Sequence, residues 1–124
     1  MEKRGMLICF TISSRKFKSN SERNKFFRGL YGWKQVIEKD GRRYEYERQG
    51  MLDEIPHKKV DQSSFIVEDG DFKMVDRFFD DWAGKVMHNT FKVLLDKSIF
   101  QELEDMRSRI EEEMEEEEED EDFD

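Results

Sequence analysis

Six basic side chains fall within fourteen residues: Arg15, Lys16, Lys18, Arg23, Lys25 and Arg28. Guanidinium and ammonium groups at that density can neutralise successive phosphates of a nucleic-acid strand and release its counterions. The segment also holds a helix start after Ser19, where free backbone N–H groups suit an anion. A solvated basic surface, balanced by acids elsewhere in the chain, accounts for the same run. A second constellation follows directly. Trp33 to Arg48 reads WKQVIEKDGRRYEYER, in which Lys39, Arg42, Arg43 and Arg48 interleave with Trp33, Tyr44 and Tyr46. Aromatic rings stack on bases while cations hold the backbone, a combination suited to single-stranded nucleic acid. The competing use of Trp33, Ile37 and Tyr44 is packing on a domain core.

Other chemistry is poorly provided for. His57 and His88 lie in unrelated segments and Cys9 is the one cysteine, so no metal-ligand spacing exists. No metal or other cofactor is expected. Asp53, Glu54 and His57 are close enough in sequence for acid–base work, but a turn beside Pro56 accounts for the same composition. Neither a nucleotide-binding glycine loop nor a Gly-x-Ser-x-Gly elbow is present. No residue is therefore assigned a catalytic role. Cys9 sits inside an apolar run and reads as a small buried hydrophobe of a cytosolic protein.

The elements that position these groups follow from local chemistry. Asp40-Gly41 suits a two-residue type I′ turn, whose central residues both take positive φ. That turn sets Lys39 opposite Arg42, Glu38 opposite Arg43, Ile37 opposite Tyr44 and Val36 opposite Glu45. Farther out, Gln35 faces Tyr46, Lys34 faces Glu47 and Trp33 faces Arg48. Alternation then sorts the hairpin into two faces. One carries the opposed charges Glu38/Arg43 and Lys34/Glu47. The other carries Trp33, Gln35, Ile37, Tyr44 and Tyr46, with Lys39, Arg42 and Arg48 at its ends.

Around the hairpin, the apolar run Met6–Ile12 predicts a buried central strand. Ser19 and Glu22 form a capping-box pattern that opens a helix of about three turns, with Phe26, Phe27, Leu30 and Tyr31 at helical spacing before Gly32. Residues 50–61 read as a connection, 62–67 as a strand, and 68–71 as an acidic cap. A second helix then places Phe72, Val75, Phe79 and Trp82 on one stripe and ends at Gly84. Val86–Leu95 reads as the last strand. This order predicts an α+β, ferredoxin-like split βαβ domain over residues 1–95, an antiparallel sheet with two helices on one face and a hairpin inserted. The open face needs a cover, and a second copy, the C-terminal helix or a nucleic acid each fits.

Residues 96–114 predict an amphipathic helix, with Ser98 and Gln101 as its capping box and Ile99, Leu103, Met106, Ile110 and Met114 along a narrow seam. Residues 115–124 predict a disordered acidic tail. Charge is distributed unevenly along the 124 residues. Residues 1–60 hold 15 Lys and Arg against 8 Asp and Glu, while residues 111–124 hold 12 acids and no base. The net charge of −9 therefore describes the tail and not the basic half. No apolar run approaches the roughly 20 residues of a membrane span, and the N-terminal residues lack a signal-peptide core of ordinary length. A cytoplasmic protein with no membrane partner is expected.

The first strand, the helix SERNKFFRGLYGW, the strand SSFIV and the closing helix–strand together resemble the small ferredoxin-fold subunit of CRISPR adaptation complexes. The likeness spans about residues 5–95 in element order. It implies a homodimer holding nucleic acid across basic surfaces. Nuclease members of that family place an acidic residue at the end of the first strand. Here the strand ends Thr11-Ile12-Ser13-Ser14, which weighs against cleavage and leaves binding. The expectation is thus a non-enzymatic RNA- or ribonucleoprotein-binding protein whose acidic tail modulates binding. A protein-interaction or assembly factor acting through the C-terminal helix, with a basic protein partner for the tail, is the alternative. A metal-dependent nuclease is the weaker one.

Overall fold

The computed structural model describes residues 3–121. Strand β1 (Lys3–Ile12) is central, as its apolar run requires. It pairs with β5 (Ser64–Glu68) on one side and β6 (Val86–Leu95) on the other, and β4 (His57–Asp61) lies outside β5. The sheet order is β4-β5-β1-β6, with antiparallel pairing throughout. Met6, Ile8 and Phe10 point to one face and are buried. Helices α1 (Asn20–Tyr31) and α2 (Phe72–Asp80) cover that face with Phe26, Leu30, Val75 and Phe79, and Phe65 and Val67 of β5 complete the core. Each such side chain contributes roughly 1.5–3 kcal/mol by leaving water. The rings also interlock: Phe10 lies 5.7 Å from Phe26 and 5.6 Å from Phe79 between centroids.

Local signals hold at several ends. Ser19 caps α1, its hydroxyl accepting the Glu22 N–H at 3.2 Å. The reciprocal half of the capping box does not form. The Glu22 carboxylate instead takes the backbone N–H of Lys18 at 3.2 Å and pairs with the Lys85 ammonium. The bond from Lys85 is the chief reason its pKa lies below the ordinary carboxylate range.

Three expectations about edges and caps change. Residues 57–61, read as connection, form edge strand β4. Residues 68–71 make no side-chain cap for α2; Glu68 and Asp71 instead hold Arg107 of α3 (Lys97–Glu121), Asp71 at 2.6 Å. These two carboxylates, Asp71 foremost, raise the Arg107 pKa above its ordinary value. Asp96, and not Ser98, opens α3: its carboxylate accepts the Ile99 N–H and the Ser98 hydroxyl, each at 2.9 Å, and the Ile99 bond foremost lowers its pKa.

Helix α3 covers one end of the sheet face that α1 and α2 leave open. Leu103 is fully buried there, Met106 sulfur accepts the His57 N–H at 3.3 Å, and Lys58 bonds Glu102 at 2.6 Å. The rest of that face stays uncovered, with Leu7 and Cys9 half-buried and Met87 and Phe91 exposed. Cys9 is therefore not a core residue. Where composition predicts disorder from residue 115, α3 continues to Glu121. Its docked first half supplies the nucleus, and each added glutamate, a good helix former, extends the hydrogen-bond ladder. Like charges one turn apart oppose this by only tenths of a kcal/mol per pair. Residues 122–124 of the expected tail lie outside the described residues.

Candidate nucleic-acid interface

Strands β2 (Trp33–Lys39) and β3 (Arg42–Arg48) pair only with each other and form a separate two-stranded ribbon. Asp40 and Gly41 take φ of 55° and 74°, as the type I′ turn demands. All seven cross-strand pairs stand in the expected register, from Lys39 opposite Arg42 to Trp33 opposite Arg48. At about 3.4 Å per residue the ribbon is roughly 24 Å long. Its neck is narrow. A Cβ on Gly50 would lie 2.2 Å from the Gly32 nitrogen, and Gly32 itself has φ of 81°. Only glycines let the two chain segments meet there.

The two faces differ chemically. On one, Glu45 collects Lys34 at 2.9 Å and Arg43 at 3.4 Å. Neither is a directly opposed pair: Lys34–Glu45 runs diagonally across the twisted ribbon, and Arg43–Glu45 runs along β3 between same-face neighbours. Glu45 accordingly raises the Lys34 pKa, first through their hydrogen bond. The other face carries Ile37, Tyr44 and Tyr46, which are 37%, 40% and 44% exposed. Packing on the domain core is therefore not their use. Lys39, Arg42 and Arg48 share this face and are exposed. Arg48 donates to Gln35 Oε1 at 2.7 Å, and its guanidinium lies 5.4 Å from the Tyr46 ring centre.

At the neck this face meets α1. The Arg28 guanidinium stacks over the half-buried Trp33 at 4.0 Å. Ser21, Lys25 and Arg28 recur on one side of α1 and line an open hollow of about 380 Å³ with Trp33 and Gln49. Thus Lys25, Arg28, Lys39, Arg42, Tyr44, Tyr46 and Arg48 fall along a continuous surface, whereas Arg43 lies on the opposite side of the ribbon. Arg23 stacks on Phe27 at 5.8 Å, away from the hollow. Arg15 and Lys16, in the 3-10 turn Ser14–Lys16, and Lys18 are exposed at the far end of α1. Twelve helical residues, about 18 Å, separate them from the ribbon. Ser21 and Gln49 are additions to the residues that charge and aromaticity single out. Helical periodicity suffices to group Ser21 with Lys25 and Arg28, but Gln49 joins them only through the neck.

Asp53 and His57, the acid–base candidates, are engaged locally: Asp53 Oδ2 accepts the Gly50 N–H at 2.8 Å, and His57 Nδ1 lies 3.0 Å from Ile55 O. Glu54 is exposed in the same 3-10 turn, Met51–Glu54. No helix among the described residues is long and apolar enough to cross a membrane. No family model, curated protein or solved structure matches this chain.

Proposed function

We propose that this chain binds nucleic acid without cleaving it, as free RNA or within a ribonucleoprotein, through the β2–β3 ribbon and the adjoining side of α1. The observation that carries this is the exposed face of the ribbon, where Tyr44, Tyr46 and Ile37 stand among Lys39, Arg42 and Arg48. An isolated two-stranded ribbon gains little from folding by itself. Aromatic surface held in water beside cations suits unstacked bases and their phosphates. Single-stranded RNA presents such bases in loops and ends, which favours RNA over duplex DNA. The strand order β4-β5-β1-β6 with α1 and α2 on one face supports a ferredoxin-like plan, with the ribbon inserted after the first helix. The likeness to the CRISPR adaptation subunit lies in that plan; the ribbon and the long acidic helix fall outside it.

Fluorescence anisotropy with a labelled single-stranded RNA tests the proposal. Changing Lys39, Arg42 and Arg48 together to Glu should flatten the log–log salt dependence by roughly 0.7 for each phosphate no longer neutralised. The same change at Arg15, Lys16 and Lys18, beyond the far end of α1, should flatten it less. An unchanged slope for the ribbon variant removes the ribbon from the site.

The acidic end of α3 is on the same chain as this basic surface and competes with RNA for it at high effective concentration. Truncation after Ile110 keeps the buried Leu103 and the Arg107 ion pairs, so the fold should persist. RNA affinity should rise severalfold, most at low salt where the Debye length is longest. A fall in affinity assigns the tail another role.

A second copy suits the outer edge of β6, which has no strand beside it among the described residues. Antiparallel pairing centred on Phe91 would set Met87 against Leu95 and Lys92 against Thr90, with no like charges opposed. Sedimentation should give a dimer, and Phe91→Lys should return it to monomer.

A further inference from the structure

Between α2, the distal half of α3 and the turn Met51–Glu54 lies a cleft of about 360 Å³, which shares Gln49 with the hollow beside Arg28 and otherwise has walls of its own. Its walls combine two chemistries. Met74, Ile110 and Met114 supply apolar surface, and Met74 and Met114 are 42% and 60% exposed. Asp53, Glu54 and Glu113 supply three carboxylates around it. Ile110 and Met114 are one helical turn apart, so they present neighbouring apolar contacts along the groove. Exposed methionines are unbranched and polarizable, and adapt to the shape of an apolar partner.

The charge of the helix that forms one wall, on the sides turned from the cleft, specifies the partner further. Glu111, Glu112, Glu115 and Glu116 are exposed on the same stretch of helix. No ion pair among the described residues reaches them. They repel one another at one-turn spacing, and a cationic occupant relieves that repulsion. A free polyanion such as RNA is disfavoured at this place by the same field.

We propose that the cleft is a docking groove for a basic amphipathic helical segment of another protein. Apolar side chains one turn apart would enter between Met74, Ile110 and Met114, while flanking Lys and Arg would meet Asp53, Glu54, Glu113 and the glutamates beyond. The groove does not rest on the ribbon's binding RNA, although Glu113 and Met114 belong to the acidic segment proposed to compete with RNA.

The test uses the full chain and a fluorescein-labelled peptide of leucine and lysine in helical amphipathic order, beside its scrambled isomer of equal charge. The ordered peptide should bind at least about tenfold tighter than the scrambled one. Met74→Glu with Met114→Glu adds negative charge at two exposed positions, yet should weaken the ordered peptide about tenfold. In the unaltered chain, the methyl resonances of Met74 and Met114 should shift on titration while those of Met6 and Met87 stay in place, a readout that needs no variant. Equal affinity for the two peptides would overturn the proposal, leaving only attraction between polyelectrolytes. So would a double variant that binds as tightly as the parent. Self-association of the peptide-free chain that the double variant abolishes would also overturn it, by making a second copy the occupant.

Discussion

Replacing Tyr44 and Tyr46 together with alanine should lower affinity for single-stranded RNA at least about 30-fold while leaving the thermal midpoint within a few degrees of the parent. Stacking of a base on an aromatic side chain is worth about 1–3 kcal/mol by alanine substitution, and the two rings stand two residues apart on one face of β3. At 40% and 44% exposure they have surface to offer and little packing to lose. Folding forfeits their cross-strand contacts with Ile37 and Gln35, roughly 0.2–1 kcal/mol each, and the exposed Arg48 contact with the Tyr46 ring, about 0.5–1 kcal/mol. Anisotropy titration and a melting curve on the same preparation check both halves. A variant that binds normally removes the tyrosines from the interface.

The opposite pattern is expected in the core. Phe79 is 1% exposed and lies against Phe10, Phe65, Phe26 and Phe78, with the His88 ring stacked 4.9 Å away. Phe79→Ala removes a large side chain from the place where α2 meets β1 and β5. The forfeited transfer energy and the cavity together should cost about 3–5 kcal/mol. Total stability in domains of this kind is about 5–15 kcal/mol, so the midpoint should fall by roughly 10–20 °C. RNA affinity of the fraction still folded at low temperature should be unchanged, because the ribbon contributes nothing to this core. A drop of less than a few degrees would contradict the packing described for α2.

What is legible in the sequence is what short-range chemistry decides. Asp40-Gly41 determines its own turn, and a two-residue loop then leaves one register for the ribbon. Ser19, Phe26 and Leu30 state the cap and buried stripe of α1 within twelve residues. Strand β4 escapes detection because it is an edge: in HKKVD the sole aliphatic residue, Val60, is exposed, so no alternation marks the segment. Glu68 and Asp71 read as caps for the helix beside them, and only the return of α3 brings Arg107 to claim them instead. Such a pairing spans more than thirty residues and has no local signature.

The candidate site divides along the same line. Which residues share the face of Tyr44 and Tyr46 follows from the turn, but whether that face is buried depends on where the ribbon attaches. Gly32 and Gly50 decide this by bringing its two ends together at the body, so that the strands project instead of joining the main sheet. Charge counted along the chain groups Arg15, Lys16 and Lys18 with the ribbon. The helix between them holds the two groups about 18 Å apart.

Chemical-shift mapping of the isotope-labelled full chain with a short single-stranded RNA is the most direct measurement of where binding occurs. The largest perturbations should fall at Lys39, Arg42, Tyr44, Tyr46 and Arg48, should continue through Trp33 to Arg28 and Lys25, and should fade before Arg15. Perturbations confined to β6 or α3, or none at RNA concentrations well above those of the anisotropy titration, would contradict an RNA-binding ribbon.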